Sequence, residues 1–374
     1  MSTRLVRMLV ARPAVRLPLP DPPDPQSEAI VMRYLALLAT LLLWSGWASA
    51  EPGSEWQALD SKGAAQVSSI RDAVQSYARK YKPMAIMIVR DGLVIATSGD
   101  VSRKVNVRSV RKSFLSALFG VAVERGQINI ESTLGQLGID DTAPSLTADE
   151  KHATIRQLLM ARSGVYHPAA YETSDQKLRR PPRGAHSPGT FWYYNNWDFN
   201  ALGAIYEKAT GSNVFDSFEK LIARPLGMQD YTARDGTFIG DGSSLYRAYV
   251  FSMSARDLAR FGLLFLNKGR WNNVSVVPSQ WTTESTKAYS ETDRKDRGYG
   301  YLWWTLDAGA WGRDAIFASG YGGQLIVIVP EKHLVAVQVV ELNERQKGIH
   351  SATFLDLVRQ VGHDTTGPLP FEGR

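Results

Sequence analysis

The clearest structural signal in the sequence is GGQLIVIVPEKHLVAVQVVEL, residues 322–342. It contains two β-branched runs, at 324–329 and 334–341, joined by a short turn at 330–333. Runs of this length and composition predict a β-hairpin. The pattern that follows predicts a helix at about 351–362. The C-terminal part of the chain therefore supplies two strands and one helix.

A second hairpin is predicted near the other end of the domain. A helix-like pattern at 62–82 precedes PMAIMIVRDGLVIATSGD, residues 83–100, in which two apolar runs flank Asp91-Gly92. Asp-Gly between apolar runs is a strong signal for a tight hairpin turn. Because strands near both ends flank a mostly helical middle, we predict an α/β fold of the α+β type. One antiparallel sheet is built from N- and C-terminal strands and flanked by helices, with a mostly helical region inserted at about 115–260.

The first fifty residues are predicted to lie outside the fold. Residues 34–47, YLALLATLLLWSGW, are apolar over a stretch too short for a membrane span, and Ala-Ser-Ala follows at 48–50. This pattern predicts a signal peptide at 32–50, cleaved after Ala50, and export to the periplasm. Residues 1–31 are interpreted as an upstream extension from a wrongly chosen start codon. A single domain is expected at 51–374.

Composition narrows the functional classes. With 44% hydrophobic and 21% charged residues in 374, the chain reads as a globular protein with a substantial core. The net charge is +6, and five arginines against three acidic residues lie in the first fifty positions. The remaining excess is too small to indicate a nucleic-acid partner. The absence of cysteine excludes a disulfide framework.

Several common catalytic motifs are missing from the sequence. The six histidines show no HxH, HExxH or i, i+4 spacing, and there are no thiolates, so no metal site is predicted. Neither the GxSxG nucleophile motif nor a GxxxxGKS phosphate loop occurs. No cofactor is expected. With these motifs excluded, the remaining candidate is a catalytic serine that is activated by a lysine.

Ser-x-x-Lys occurs three times, and its context separates the matches. Ser174 to Lys177 is predicted to lie in a polar loop, and Ser217 to Lys220 on a helix with an ordinary solvated lysine. Ser109 and Lys112 instead open SVRKSFLSALFGVAVERG, residues 109–126, which has hardly any polar face before Glu124. This stretch is predicted to be a buried helix.

Helical spacing brings Ser109 and Lys112 onto one face, within reach of each other. Burial lowers the pKa of a lysine, and the neutral amine can then deprotonate a serine hydroxyl. The alternative is a lysine whose ammonium reaches out to solvent beside a serine that caps the helix.

A second constellation favours the catalytic interpretation. In SPGTFWYYNNWDFNALGAIYEKATG, residues 187–211, aromatic and Asn residues lead into an amphipathic helix, as in a pocket wall. Tyr194-Asn195-Asn196, followed by Leu202-Gly203, resembles the Tyr-x-Asn element of serine β-lactamases, penicillin-binding proteins and 6-aminohexanoate-dimer hydrolases. Tyr193-Tyr194-Asn195 also matches, but it lies one residue too far from Leu202-Gly203. Tyr194 is therefore preferred over Tyr193.

The third element of that superfamily is a Lys-Thr-Gly-like triplet on a strand beside the site. Ala318-Ser319-Gly320 stands in the corresponding place, without the Lys that helps to hold a substrate carboxylate. The segment SGYGGQ is more similar to the esterase and amidase-like branch that includes 6-aminohexanoate-dimer hydrolase. The resemblance spans about residues 84 to 345 and implies a β-lactamase/transpeptidase-like fold. It also implies an oxyanion hole formed by the N–H groups of Ser109 and Tyr321.

Weaker candidates lie in the loops. Tyr166 and Tyr171 follow a Ser-Gly turn and are candidates for the pocket wall, although loop tyrosines more often serve packing. His167 and His186 are weaker candidates of the same kind. No function is predicted for the remaining groups. A solvated loop is expected to carry Arg179, Arg180 and Arg183. Core packing, more than pocket lining, is expected for Trp303, Trp304 and Trp311.

The predicted function is hydrolysis of a small-molecule or peptide-like amide or ester through an acyl-enzyme on Ser109. The resemblance implies that Lys112 and Tyr194 shuttle the proton and that Asn196 orients the lysine and the substrate. Two alternatives remain open at this point. One is a D-alanyl-D-alanine carboxypeptidase or a true β-lactamase, and the other is a non-catalytic sensor or binding module that keeps the fold.

Overall fold

The computed structural model describes residues 51–364 except positions 58 and 60. The predicted upstream extension, 1–31, and the predicted signal peptide, 32–50, lie outside these described residues. Within the described part, none of the helices has the length and hydropathy that a membrane crossing requires.

The central element is an antiparallel sheet of eight strands, in the order β2-β1-β13-β12-β11-β10-β9-β8. A smaller sheet has the order β3-β5-β4, and β6 pairs with β7. The strands are β1 Ala85–Arg90, β2 Leu93–Gly99, β3 Val105–Asn106, β4 Gly236–Ile239, β5 Ala248–Met253, β6 Arg270–Trp271, β7 Val274–Ser275, β8 Ser290–Glu291, β9 Arg297–Tyr299, β10 Trp304–Leu306, β11 Ile316–Gly320, β12 Gln324–Val329 and β13 Leu334–Val339.

The helices of the described residues lie before, between and after the strands along the chain. They are α1 Ser61–Gln66, α2 Ser68–Tyr81, α3 Arg111–Glu124, α4 Ile155–Leu159, α5 Ser174–Arg179, α6 Asn196–Thr210, α7 Val214–Phe218, α8 Ala255–Leu266, α9 Ser279–Ser285, α10 Ala308–Trp311 and α11 Ser351–Asp364. The region predicted as a mostly helical insertion holds α3 to α8 and also strands β4 and β5.

The predicted fold class is confirmed, because both ends of the domain meet in one sheet. Strand β1 pairs antiparallel with β13 from Ala85↔Val339 to Arg90↔Leu334. The predicted Asp91-Gly92 turn joins β1 to β2, with φ of 51° and 80°. Positive φ at both residues suits a two-residue hairpin turn, because its twist matches that of the strands.

Burial on both faces explains the apolar runs that predicted the C-terminal hairpin. Every residue of β12 and β13 is buried. Helix α8 packs against β12 and β13, and α11 also packs on these strands. A sheet covered on both faces selects continuous apolar runs instead of alternation.

The predicted short turn at 330–333 is confirmed as a 3₁₀ turn followed by His333 in the left-handed region. Two other local predictions are wrong in detail. The helix predicted at 62–82 is interrupted at Val67, which separates α1 from α2. Ser174, predicted to lie in a loop, begins helix α5, because Thr173 and Gln176 form a reciprocal capping box.

Helix α3 is the central helix of the domain, and every residue from Arg111 to Ala122 is buried. A Cβ on Gly120 would lie 2.4 Å from the Trp281 ring, so glycine permits α3 and α9 to approach closely. The helix begins at Arg111, two residues later than predicted, because residues Arg108–Val110 form a 3₁₀ turn. This turn contacts β11 and β12, so the start of the buried helix lies against two interior strands of the sheet.

Candidate active site

The 3₁₀ turn before α3 carries Ser109. The preceding residue, Arg108, has φ of 54°, which is unusual for a residue with a side chain. Its N–H donates to Asn106 Oδ1 at 2.9 Å, and this bond stabilises the tight conformation. Strained backbone is common at functional sites, where the surrounding structure must hold it in place.

The hydroxyl groups of Ser109 and Tyr194 both contact the side-chain nitrogen of Lys112. Lys112 Nζ lies 2.8 Å from Ser109 Oγ and 2.9 Å from Tyr194 Oη. The lysine is only 1% exposed, and Nζ lies 4.6 Å from the centre of the Phe199 ring. Carboxylates are absent from these contacts, so the nitrogen is surrounded by hydroxyl groups and aromatic faces.

This environment shifts the pKa values of Lys112 and Tyr194 in opposite directions. Burial, aided by the Arg111 cation, holds the pKa of Lys112 well below its usual range. Burial raises the pKa of Tyr194, although a hydrogen bond with Ser109 and the charges of Arg111 and Arg294 oppose that shift. A neutral amine can accept a proton and a neutral phenol can donate one, as general acid–base catalysis requires.

Arg111 lies within the protein without a carboxylate partner among the described residues. The residue is fully buried, and its Nη2 donates to Asn200 Oδ1 at 3.2 Å. Its guanidinium carbon lies 4.7 Å from the centre of the Tyr249 ring, a cation–π contact. The uncompensated charge therefore acts on the neighbouring lysine.

The structure separates the two tyrosines that the sequence leaves adjacent. Tyr194 reaches Lys112, whereas the Tyr193 hydroxyl donates to the carbonyl of Gln176 at 2.7 Å. Asn195 caps the start of α6 by accepting the N–H of Trp197 at 3.2 Å. This cap holds the end of the Tyr194 segment in an extended conformation.

Asn196 contacts a neighbouring loop instead of Lys112. Its Nδ2 donates to the carbonyl of Tyr171 at 2.8 Å, while Oδ1 is buried with no partner among the described residues. The Tyr171 hydroxyl accepts from Arg108 Nη1 at 2.7 Å and from Asn106 Nδ2 at 3.0 Å. The structure thus brings Tyr171 directly beside the turn that carries Ser109.

The other loop candidates lie elsewhere. Tyr166 is only 5% exposed and packs edge-on against Tyr193 and His186. His167 is buried and contacts the Trp197 ring. His186 packs on Phe191 at 4.0 Å between ring centres. None of these contacts involves Ser109, Lys112 or Tyr194.

The end of strand β11 lies against the turn that carries Ser109. A Cβ on Gly320 would lie 2.3 Å from the carbonyl oxygen of Val107, so only glycine fits this approach. Ala318 is buried, Ser319 is half-buried, and Tyr321, which follows the strand, is 61% exposed. The predicted oxyanion donors, on Ser109 and Tyr321, thus lie on two segments in contact.

A cleft of about 900 Å³ adjoins Tyr194, and most of its residues are not predicted from the sequence. It is lined by Arg162, Asp175, Gln176, Arg179, Pro181, Thr190, Phe191, Trp192, Tyr193, Tyr194, Tyr289, Glu291, Thr292, Asp293, Arg294 and Trp304. Trp303 is fully buried, as expected for core, but its neighbour Trp304 lines the cleft. Trp304 is the first residue of β10 and pairs with Tyr299 of β9 and Phe317 of β11.

The arginine cluster at 179–183 is more structured than a solvated loop. Arg180 pairs with Glu172 at 2.5 Å, and Arg183 pairs with Glu150 at 2.7 Å. Both carboxylates are almost completely buried. The interpretation as a merely solvated loop is therefore wrong for these two arginines, because they neutralise buried acids.

A buried carboxyl group supports the segment behind Tyr194. Asp198 Oδ1 accepts from Ser163 Oγ at 2.5 Å and from Asn195 Nδ2 at 2.9 Å. Burial raises the pKa of Asp198 well above its usual range. Through these two hydrogen bonds the carboxyl group links the Ser163 loop to the start of α6. Among the described residues, no group of three or more His, Cys, Asp or Glu side chains could hold a metal ion.

Two protein sequences are similar to parts of this chain. An uncharacterized protein of Alkalihalophilus pseudofirmus is 25% identical over 289 residues, covering 69% of this chain and 78% of that protein. Unguisins hydrolase of Aspergillus campestris is 27% identical over 168 residues. That second match covers 39% of this chain and 30% of the Aspergillus protein.

The fold is shared with solved structures. A Bacillus anthracis protein provisionally named a 6-aminohexanoate-dimer hydrolase superposes with a TM-score of 0.61 at 19% identity. The superposition covers 78% of this chain and 81% of that one. The Beta-lactamase family model matches residues 70–359, which is most of the sequence. The chain therefore belongs to the beta-lactamase family of serine hydrolases.

Proposed function

We propose that this protein hydrolyses an amide or ester bond through an acyl-enzyme on Ser109. The observation that carries the proposal is the position of Lys112 Nζ, within hydrogen-bonding distance of both Ser109 Oγ and Tyr194 Oη. A single buried nitrogen can thereby accept the proton of the nucleophile and pass it toward a phenol. No cofactor takes part in the proposed reaction.

In the acylation step, Ser109 Oγ attacks the substrate carbonyl while neutral Lys112 accepts the hydroxyl proton. The N–H groups of Ser109 and Tyr321 stabilise the negative charge that develops on the carbonyl oxygen. Tyr194 donates its proton to the departing amine or alcohol and regains one from the Lys112 ammonium. The leaving group departs with a proton, and Ser109 carries the acyl group.

In the deacylation step, water attacks the ester carbonyl of the acyl-enzyme. Tyr194 and Lys112 take the proton from this water, and the same oxyanion donors stabilise the second tetrahedral intermediate. Collapse of that intermediate returns a proton to Ser109 Oγ and releases the carboxylic acid. The enzyme is restored with a neutral lysine, which the buried site favours.

The choice of an amidase or esterase over a penicillin-directed enzyme is supported by position 318. Ala318 occupies the place at which the superfamily triplet carries a lysine, and it is buried against the rest of the sheet. An alanine supplies no cation for a penicillin carboxylate. Two names point the same way, an unguisins hydrolase and a protein provisionally named a 6-aminohexanoate-dimer hydrolase, whereas other solved structures of this fold are named beta-lactamase or penicillin-binding protein.

Covalent labelling tests the nucleophile. Wild-type protein should react with a fluorophosphonate probe or a nitrophenyl ester, and Ser109→Ala should abolish this labelling. Ser174→Ala is the matched control, since Ser174 belongs to another Ser-x-x-Lys match and is exposed. Labelling that persists in Ser109→Ala, or a stable penicillin adduct on Ser109, would contradict the proposal.

We also propose that the chain is exported and processed after Ala50. In support, residues just beyond this position are tied to the domain. The buried guanidinium of Arg260 donates to the carbonyls of Gly53 and Ser54 at 2.9 and 3.0 Å. Mass spectrometry of the periplasmic protein should give an N-terminus at Glu51, and an unprocessed chain in the cytosol would contradict export.

A further inference from the structure

The cleft beside Tyr194 combines an aromatic wall with an exposed arginine, Arg294. The guanidinium carbon of Arg294 lies 4.8 Å from the centre of the Trp304 indole. Trp304 in turn stacks on Tyr194, with 5.6 Å between ring centres and an interplanar angle of 23°. The Arg294 charge therefore lies within about 10 Å of the Tyr194 ring.

The other arginines of the cleft already have partners. Arg179 forms ion pairs with Asp175 at 2.9 Å and with Asp293 at 3.2 Å. Arg162 donates to the carbonyl of Gly189 at 3.0 Å. Arg294 forms no ion pair within residues 51–364, apart from the two undescribed positions, although Asp293 is its neighbour in sequence.

The chemistry of the wall defines what would bind there. Aromatic side chains, including Phe191, Trp192 and Tyr289, offer apolar surface to an extended chain. An arginine in a cation–π contact with an indole can still donate two parallel hydrogen bonds to a carboxylate. The cation lies beside the catalytic candidates but outside their hydrogen bonds.

We propose that Arg294 binds a carboxylate at the far end of the substrate, so that the enzyme prefers linear amides or esters with an apolar spacer and a terminal carboxylate. This inference rests on the proposed hydrolase function. Arg294 would thus supply the cation for a substrate carboxylate that Ala318, in place of the superfamily's lysine, does not supply. Glu291, which also lines the cleft, is the residue that would favour the opposite substrate charge.

Matched esters test this assignment. Nitrophenyl hexanoate and mono-nitrophenyl adipate have acyl chains of equal length, and only the adipate carries a terminal carboxylate. In Arg294→Ala the ratio of kcat/KM for adipate over hexanoate should fall about tenfold, the effect expected for loss of a charge-assisted hydrogen-bonded pair. Lys295→Ala removes an exposed neighbouring cation outside the cleft and should keep the wild-type ratio.

The outcomes separate this inference from the proposed function. An unchanged ratio in Arg294→Ala, with both esters still hydrolysed, would overturn the carboxylate site and leave the hydrolase intact. A preference for nitrophenyl 6-aminohexanoate that disappears in Glu291→Gln would overturn it too. If neither ester is hydrolysed and Ser109 is not labelled, the proposed function itself fails. Urea unfolding of each variant confirms that the fold is retained.

Discussion

Lys112 Nζ lies 2.9 Å from Tyr194 Oη, although the two residues are 82 positions apart in sequence. Lys112 comes from the start of the buried helix α3, and Tyr194 comes from the extended segment before α6. The contact joins a base to a proton donor. Both groups are uncharged in the proposed resting state, so the pair avoids the cost of a buried isolated charge.

Replacing Lys112 by Met should lower kcat/KM for a nitrophenyl ester by about 10³-fold, because a general base typically contributes 10²–10⁴. Methionine keeps most of the apolar packing of the side chain. Steady-state kinetics measures the effect, and Lys177→Met, at an exposed Ser-x-x-Lys lysine, is the control. A variant that retains more than a tenth of the wild-type activity would exclude Lys112 as the base.

Tyr194→Phe should impair amide hydrolysis more than ester hydrolysis. A departing amine needs a proton more than a nitrophenolate does, so we expect a loss of about 10²-fold or more on the amide. Tyr193→Phe removes a hydroxyl that donates to the Gln176 carbonyl, and it should leave this amide-to-ester ratio unchanged. Equal losses on both substrates in Tyr194→Phe would argue against proton donation to the leaving group.

Arg111→Met should move the acid limb of the pH–rate profile to higher pH. The limb reports protonation of Lys112, whose pKa is lowered by burial and by the Arg111 charge. Without that charge the pKa rises, and activity is lost at a higher pH as the medium is acidified. A shift of roughly one unit is expected, since a nearby charge moves a pKa by about 1–3 units.

Arg111→Lys retains the positive charge and should keep the acid limb close to its wild-type position. The same comparison distinguishes an electrostatic role from a structural one, because only the former depends on the charge. An acid limb that shifts equally in both variants would contradict the electrostatic role.

Asp198→Asn should flatten the pH dependence of stability. The folded-state pKa of Asp198 is raised above its unfolded value, so the native state binds more protons and wild-type stability falls as pH rises above about 4. Asparagine remains neutral and retains an oxygen that can accept from Ser163 Oγ. The free energy of urea unfolding at pH 5 and pH 8 measures this.

The matched control for this prediction is Asp72→Asn, at an exposed position on α2. It should leave the difference in unfolding free energy between pH 5 and pH 8 as in the wild type. A slope that is unchanged in Asp198→Asn would show that this carboxyl is ionised in the folded protein.

Much of the fold could be predicted because its signals are local. Each signal consists of consecutive residues: the apolar runs of β12 and β13, and the Asp91-Gly92 turn. The structure confirms both hairpins. The α5 helix was missed because its apolar pattern is weak, and its start depends on the capping box of Thr173 and Gln176. Capping signals of this kind are visible in sequence, but they are less specific than long apolar runs.

The spacing of Ser109 and Lys112 belongs to the sequence by itself, since a helical turn brings residues i and i+3 together in any context. The sequence also shows directly that position 318 carries alanine where the superfamily triplet has lysine. The spacing to Leu202-Gly203 already favours Tyr194 over Tyr193. The folded structure alone shows that Tyr194 reaches Lys112, that Asn196 contacts Tyr171, and that Trp304 and Arg294 line one cleft. These relationships join segments far apart in the chain, and their distances depend on how the whole core packs.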